Sequence, residues 1–220
     1  MDLESRKELA RTFSQGRERY EQFSNQVTEL LGALCEKSSV QVISSRVKSE
    51  DSFLRKSTKT IDGSFKYDEP LSEIEDLVGV RVICYTLTNV EEICGTIKAN
   101  FQVLEEIDKA AELAKVGSIG YVSKHFIVNL SKDRVTLPEY NLVKTFKCEI
   151  QVRTVFQHAW AELEHRLQYK SSPNPELKAR FQALAGLVQV ADREFEGVVK
   201  LGETLINENR ETIEAVEDFD

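Results

Sequence analysis

The stretch CEIQVRT at residues 148–154 continues directly into VFQHAWAELEHRLQYK at residues 155–170. The first part predicts a strand, in which alternate side chains point to the same face. One face is apolar and consists of Cys148, Ile150 and Val152. The other face is polar and consists of Glu149, Gln151 and Arg153. This pattern alone is as typical of a solvated sheet face as of a functional site.

The second part predicts an amphipathic helix over Phe156–Lys170, because its residues recur at helical spacing in two stripes. The stripe that we expect to be buried contains Phe156, Trp160, Leu163 and Leu167. The polar stripe contains His158, Glu162, His165 and Tyr169. The spacing H-x3-E-x2-H differs from the zinc-protease pattern H-E-x-x-H, so we do not expect a zinc site. We favour hydrogen bonding that holds the helix against the polar face of the strand.

Helical patterns also occur elsewhere in the chain. They predict helices over Asp2–Cys35, from Pro70 to Gly79, from Thr88 to about Asn100, and from Glu176 to about Asn209. Gly16 is the one weak point of the first helix. Capping-box patterns are formed by Ser72 with Glu75 and by Thr88 with Glu91. Asn174 and Pro175 suit the N-cap and the first position of the last helix.

Strand patterns alternate with these helices. They cover Val40–Val47, Val80–Tyr85, Gln102–Ile107, Gly120–Leu130 and Thr145–Thr154. Residues 48–69 are expected to be part helix and part loop, and residues 109–119 are ambiguous. The pattern predicts an α+β fold, a mixed sheet of about five strands flanked by helices, with long N- and C-terminal helices. We expect one compact unit with a helical segment at 1–38, a central domain at 39–172, and a C-terminal helix with an acidic tail at 173–220.

Composition narrows the class of function. The 220 residues carry 29 basic and 37 acidic side chains, a net charge of −8. Such a chain is a poor non-specific binder of nucleic acid, because affinity for phosphate backbones comes from Lys and Arg. The four cysteines are widely spaced and are expected to be reduced and mostly buried. No apolar stretch approaches the roughly 18 residues that span a membrane, and no signal peptide is evident, so we expect a cytoplasmic protein.

A carboxylate stands at the edge of the predicted sheet in EIEDLVGVRV, residues 73–82. Asp76 precedes the strand and Arg81 lies within it. If Asp76 approaches Glu149 on a neighbouring strand, the pair offers the hard oxygen ligands that Mg²⁺ prefers beside substrate phosphates. A turn or cap role is the more common one for a lone Asp before a strand.

The stretch SSRVKSEDSFLRKSTK at residues 44–59 is basic and rich in hydroxyl groups. Such residues suit a polyphosphate, because charge-assisted hydrogen bonds to phosphate are strong. The sequence contains neither a Walker loop nor G-x-G-x-x-G, so a phosphate site here would be non-standard. A solvated basic helix face is the alternative.

A further stretch, GYVSKHFIV at residues 120–128, combines a glycine with an aromatic residue and a histidine. Gly120 permits close approach of the backbone, and Tyr121 could stack on a nucleotide base. The alternative is an aromatic residue packed in a strand.

These stretches together resemble the RelA/SpoT-type alarmone synthetase domain over about residues 40–170. The matching blocks are R-x-K-S at Arg46–Ser49, D-L-V-G-V-R at Asp76–Arg81, G-Y-x-S-x-H at Gly120–His125, and E-I-Q-V-R-T at Glu149–Thr154, which continues to Lys170. The resemblance implies a nucleotidyltransferase-like mixed sheet flanked by helices. It also implies transfer of the β,γ-pyrophosphate of ATP to the 3′-hydroxyl of GDP or GTP, giving ppGpp or pppGpp and AMP.

The resemblance further implies roles for individual residues. Asp76 and Glu149 would hold Mg²⁺, and Glu149 would accept the proton of the 3′-hydroxyl. The residues implied to bind ATP are Arg46, Lys48, Ser52, Lys56 and Arg81. The residues implied to bind the acceptor or line its site are Tyr121, Lys124, His125, Gln151 and Arg153. In this set Tyr121 would stack on the acceptor base, and His125 would bind acceptor phosphate or shape its loop.

One departure leaves the acceptor open. Val122 follows Tyr121, where many alarmone synthetases carry Arg or Lys. Toxin-type relatives pyrophosphorylate tRNA 3′ ends or make adenosine alarmones, and a non-catalytic nucleotide-sensing module is a further alternative. We expect no HD-type hydrolase activity, because no such pattern precedes the synthetase-like region. Self-association into a homo-oligomer also stays open.

Overall fold

The computed structural model describes residues 2–108, 123–168 and 174–217. The helices are α1 (Leu3–Gln15), α2 (Arg17–Leu34), α3 (Glu50–Ser57), α4 (Pro70–Glu73), α5 (Leu87–Asn100), α6 (Val155–Gln168) and α7 (Pro175–Glu217). The strands are β1 (Val40–Val47), β2 (Thr60–Ile61), β3 (Ser64–Phe65), β4 (Val78–Cys84), β5 (Phe101–Asp108), β6 (Lys124–Leu130) and β7 (Cys148–Thr154). Two short 3₁₀ helices lie between β6 and β7.

Five strands form one mixed sheet in the order β1-β4-β7-β6-β5. The central pair, β4 and β7, is parallel, and every other pair in this sheet is antiparallel. The predicted α+β class with a mixed five-stranded sheet is therefore confirmed.

The core lies on one face of this sheet. Alternate residues of β4 and β7 point into it, as the period of a strand requires. The fully buried members are Val78, Val80, Val82, Cys148, Ile150 and Val152. Helices α2 and α5 contribute further apolar residues to the same cluster. The predicted division of residues 148–154 into an apolar and a polar face is thus confirmed for the apolar face.

A small hairpin joins α3 to α4, where the sequence predicted only helix and loop. Strands β2 and β3 pair antiparallel around Asp62 and Gly63, whose φ angles are 51° and 80°. Asp-Gly is a strong signal for a tight hairpin turn, because both central residues need positive φ. The strands hold only two residues each, too few for the alternating pattern to be recognised.

The predicted N-terminal helix is divided at Gly16. The backbone N–H of Gly16 contacts the carbonyls of Thr12 and Ser14, which ends α1. The next helix, α2, begins at Arg17. The prediction of one continuous helix over 2–35 was therefore wrong at its weak point.

Both predicted capping boxes were wrong. The cap of α5 is Thr86, whose Oγ1 accepts a hydrogen bond from Asn89 N at 3.2 Å. The hydroxyl of Thr88 instead donates to Glu196 of α7. The hydroxyl of Ser72 donates to the Glu69 carbonyl at 3.0 Å and so caps no N–H group.

Gly79 does not end a helix. The preceding helix α4 stops at Glu73, and Gly79 is the second residue of β4. The strand begins at Val78, two residues earlier than predicted. The valines on both sides of Gly79 are fully buried.

Helix α6 is buried over only half of its predicted apolar stripe. Trp160 packs against Phe181 of α7 and donates from Nε1 to the Phe181 carbonyl at 3.0 Å. Leu163 and Leu167 are 49% and 42% exposed. Their spacing matches the stripe, but the contacts between α6 and α7 in the apolar cluster centre on Trp160.

Helix α7 is anchored by polar contacts at the end of β7. Asn174 caps it as predicted, since its Oδ1 accepts from Glu176 N at 2.9 Å. Buried Asp192 accepts from Thr154 Oγ1 at 2.6 Å and from Gln157 Nε2 at 3.0 Å. The helix extends to Glu217, beyond the predicted end near Asn209.

The cysteines are free thiols, and Cys84, Cys94 and Cys148 are buried. Burial raises the pKa of Cys84 and Cys94 to about 12, so both thiols stay protonated. Within the described ranges, no helix combines the length and hydrophobicity needed to cross a membrane.

The packing predicts a contrast between a buried and an exposed aliphatic residue. Ile97 of α5 is fully buried, whereas Leu187 of α7 is 65% exposed. We expect Ile97→Ala to lower the free energy of unfolding by about 2–5 kcal/mol, because it leaves a cavity. Leu187→Ala should change it by less than about 0.5 kcal/mol. Urea unfolding of both variants measures the difference, and equal effects would contradict this account of the core.

Candidate active site

The face of the sheet opposite the core carries the predicted site residues. In the row across the strands, Arg46 of β1 pairs with Gly79 of β4, and Gly79 pairs with Glu149 of β7. A Cβ atom on Gly79 would lie 3.8 Å from the Arg46 side chain. The absence of a side chain at Gly79 therefore leaves space between Arg46 and Glu149.

The next row lies on the same face. Arg81 of β4 pairs with Gln151 of β7, which pairs with His125 of β6. Paired residues of neighbouring strands point to the same side, so these three side chains share the polar face with Arg46 and Glu149. Four strands thus converge on one patch.

Asp76 is held between two lysines at the entrance to β4. Lys48 Nζ lies 2.9 Å from Asp76 Oδ2, and Lys56 Nζ lies 2.9 Å from Asp76 Oδ1. Burial alone would raise the pKa of Asp76, but the hydrogen bonds from Lys56 and Lys48 outweigh it and hold the pKa below 3.8. Asp76 is therefore ionised at neutral pH.

Glu149 is held by neighbours within the sheet. His125 Nδ1 lies 3.0 Å from Glu149 Oε1, and Gln151 Nε2 donates to Glu149 Oε2 at 2.9 Å. Arg153 in turn donates to Gln151 Oε1. Burial would raise the pKa of Glu149, but the contacts with His125 and Gln151 hold it below 4.5.

The ionised carboxylate of Glu149 determines which nitrogen of His125 carries a proton. An ionised carboxylate only accepts hydrogen bonds, so His125 Nδ1 must carry the proton that it shares with Glu149. His125 Nε2 is buried and has no hydrogen-bond partner within the described ranges. In the neutral ring this nitrogen is a hydrogen-bond acceptor.

The two carboxylates are close enough to interact, since the negative charge of Asp76 opposes ionisation of Glu149. The described residues contain no group of three or more His, Cys, Asp or Glu that could hold a metal. Two ionised carboxylates nevertheless suit a hard divalent cation that completes its coordination with substrate phosphates and water. The residues present therefore fit such a cation.

Two predicted binding residues are paired at the border of the patch. Arg81 Nη1 lies 2.7 Å from Glu162 of α6, and Lys124 Nζ lies 2.7 Å from Asp108 of β5. The Arg81–Glu162 pair agrees with the interpretation that polar residues of α6 hold it against the sheet. Asp108 was not predicted as a partner, although Asp108 and Lys124 face each other in the β5–β6 pairing.

The remaining predicted residues are spread more widely. Ser52 lies on α3 one turn before Lys56, where its hydroxyl contacts Ser49 and Arg55. Tyr121, Gly120 and Tyr169 lie outside the described residues. The roles of all these residues stay predictions.

The family model described as the region found in RelA / SpoT proteins matches residues 45–174. The chain belongs to the RelA/SpoT family. This membership confirms the resemblance drawn from the motifs.

Among relatives of this RelA/SpoT protein, GTP pyrophosphokinase YjbM of Bacillus subtilis is 31% identical over 165 residues, which cover 72% of this chain and 71% of the relative. Small alarmone synthetase 1 from Bacillus subtilis superimposes with a TM-score of 0.71 at 22% identity, over 88% of this chain and 98% of that one. Its structure bound to its product pppGpp gives a TM-score of 0.69 at 24% identity, over 86% and 97%. The chain is a GTP pyrophosphokinase-like enzyme with the fold of these structures.

The ion pairs of Asp76 predict an acid-dependent loss of stability. Because the folded-state pKa of Asp76 is depressed, its ionisation stabilises the fold above its ordinary pKa of 3.8. That stabilisation is lost as the pH falls through the depressed value. We expect Asp76→Asn to show a smaller loss of unfolding free energy than the wild type between about pH 6 and about pH 2.

Urea unfolding across this pH range measures the effect. Asp51→Asn removes an exposed carboxylate of α3 and is the control, which should follow the wild-type curve. Parallel curves for Asp76→Asn and the wild type would contradict the assigned pKa shift.

Proposed function

We propose that this RelA/SpoT family protein transfers the β,γ-pyrophosphate of ATP to the 3′-hydroxyl of GDP or GTP. The products would be ppGpp or pppGpp, with AMP released. The observation that carries the proposal is the convergence of two ionised carboxylates, Asp76 and Glu149, with Lys48 and Lys56 on one patch. The GTP pyrophosphokinase YjbM and the pppGpp-bound synthetase support the choice of a guanosine acceptor.

The basic residues around Asp76 suit the triphosphate of ATP. Attack on a polyphosphate requires charge neutralisation and in-line positioning more than covalent chemistry. Arg46 of β1, Lys48 between β1 and α3, and Lys56 of α3 supply positive charge. We assign Ser52 and Arg81 to the border of the same subsite.

We assign Mg²⁺ to Asp76 and Glu149, on the donor chemistry described above. When bound, the ion would neutralise charge on the transferred phosphates. Lys48 and Lys56 now neutralise Asp76 directly. With Asp76 bound to the ion, both lysines would face the phosphates.

Glu149 is placed to receive the proton of the acceptor. In the proposed step the 3′-oxygen bonds to the β-phosphorus of ATP, the bond to the α,β-bridging oxygen breaks, and AMP leaves. The proton of the 3′-hydroxyl passes to Glu149. A carboxylate with a depressed pKa is a weak base, so we expect positioning of the hydroxyl to matter as much as proton removal.

The acceptor side of the site is assigned to β6, β7 and the segment before β6. His125 would shape this side of the site through its contact with Glu149, and Lys124, Gln151 and Arg153 would line it. Tyr121 is proposed to stack on the base. The catalytic unit is proposed to span 39–172, flanked by helices.

Removal of the carboxylate at Glu149 tests the proposed chemistry. We expect Glu149→Gln to lower transfer by about 100-fold or more, because a positioned acid–base group contributes about that factor. The assay combines Mg²⁺, γ-labelled ATP and, separately, GDP, GTP, ADP or deacylated tRNA. Chromatography then resolves the labelled products.

Glu29→Gln is the matched control, because Glu29 is an exposed carboxylate of α2 far from the patch in sequence. It should retain wild-type activity. If label appeared only in tRNA or only in the product from ADP, that molecule would be the acceptor instead of the guanosine nucleotide. A wild-type enzyme without transfer, or a fully active Glu149→Gln variant, would contradict the mechanism.

Metal dependence gives a separate test. EDTA should abolish transfer, and Mg²⁺ should restore it. Asp76→Asn loses a ligand, so we expect half-maximal rate at a Mg²⁺ concentration raised about 10-fold or more. A Mg²⁺ titration of the rate measures this, and an unchanged midpoint would remove Asp76 from the metal site.

A further inference from the structure

Arg6 of α1 is a fully buried arginine that binds backbone carbonyls. Its Nη1 donates to the Ser57 carbonyl and its Nη2 to the Tyr67 carbonyl, both at 2.6 Å. Its guanidinium lies 3.9 Å from the centroid of the Phe65 ring. No carboxylate pairs with it within the described residues.

This arrangement is specific to arginine. The guanidinium stays charged in proteins, so its burial is costly unless its donors are satisfied. The two carbonyls bind Nη1 and Nη2, whereas Nε has no hydrogen-bond partner within the described residues. Its planar fork reaches two carbonyls at once, which a lysine cannot do with the same geometry. Ser57 ends α3, and a cation at the C-terminal end of a helix is favoured by the helix dipole.

The two carbonyls stand at the ends of one short segment. Ser57 directly follows Lys56, and Tyr67 lies two residues beyond the β2–β3 hairpin. Arg6 therefore closes residues 57–67 into a loop fixed to α1. Stacking of Phe13 on Phe53, with ring centroids 4.9 Å apart, packs α3 against the same helix.

Lys48, the other lysine that contacts Asp76, is also held by an arginine that donates to a backbone carbonyl, but this contact is longer and more exposed. Arg17 of α2 donates from Nη1 to the Lys48 carbonyl at 3.2 Å. Arg17 is 41% exposed and also pairs with Glu21 at 2.7 Å. Both arginines lie before residue 45, outside the region that the family model matches.

We infer that Arg6 is a positioning residue for the triphosphate subsite. It fixes the end of α3 so that Lys56 stands beside Asp76 and meets the phosphates of ATP. The N-terminal helix α1 is thereby part of the nucleotide site, although it contributes no group to the reaction. The choice of ATP as ligand rests on the proposed function.

The test uses the full chain with Arg6→Lys and Arg6→Gln. Arg11→Gln is the matched control, because Arg11 lies on the same helix, is 65% exposed and, among the residues that the structure describes, pairs only with Glu8 at 3.3 Å. Binding of AMPCPP is measured by calorimetry. This ATP analogue has a methylene group in place of the α,β-bridging oxygen, so the bond that breaks in the transfer cannot be cleaved. Hydrogen exchange without nucleotide is measured on the same samples.

We expect Arg6→Lys to weaken AMPCPP binding and to raise the KM for ATP, each by about 10-fold. The KM for the acceptor should stay within about 2-fold of wild type, since the acceptor lies on β6 and β7. Exchange should rise in peptides covering residues 50–67 and stay unchanged in β4 and β7. Arg11→Gln should match the wild type in every measurement.

Two results would overturn the inference. One is wild-type AMPCPP affinity in a folded Arg6→Lys or Arg6→Gln variant. The other is exchange that rises uniformly over the chain, which would make Arg6 a residue of general stability. AMPCPP binding that is weakened in the Arg6 variants, together with a wild-type chain that transfers no pyrophosphate, would contradict the proposed function and support the inference.

Discussion

The parallel pairing of β4 with β7 is the constraint on which the site depends. Parallel strands begin at the same edge of a sheet, so the residue before β4 and the first residues of β7 meet there. Asp76 precedes β4 by two positions, and Glu149 is the second residue of β7. An antiparallel pairing would have placed these carboxylates at opposite edges. The register that sets Gly79 between Arg46 and Glu149 also leaves space between those two residues.

The two carboxylates stay ionised by different means. Asp76 is neutralised by the full charges of Lys48 and Lys56, whereas Glu149 is held by the His125 imidazole and the Gln151 amide. In the proposed mechanism the lysine partners exchange Asp76 for phosphate, while in-sheet partners hold Glu149 in place. The arrangement therefore separates an adaptable end of the site from a rigid one. It also concentrates positive charge locally in a chain whose net charge is −8.

Local patterns predicted what depends on local geometry. The alternation in residues 148–154 identified both faces of β7, because a strand has a period of two wherever it stands. Leu163 and Leu167 share the period of Trp160 but remain exposed, since burial requires a partner element that no local pattern reveals. The cap of α5 was placed two residues late because Thr86 and Thr88 are both chemically suitable. The role of Arg6 could not be predicted from local patterns either, because its partners lie 51 and 61 residues away in the sequence.

The N-terminal helices show why a segment boundary in the sequence need not be a boundary of folding. Phe23, Val27 and Leu31 of α2 are fully buried in the cluster that includes the apolar face of β4 and β7. A chain that began at residue 39 would expose that face to water and would leave the carbonyls of Ser57 and Tyr67 without Arg6. The helices thus complete the core and, in our proposal, also brace the nucleotide site. The limits of a family motif mark where the reacting groups lie, whereas the forces that hold those groups in place extend through residues the motif does not include.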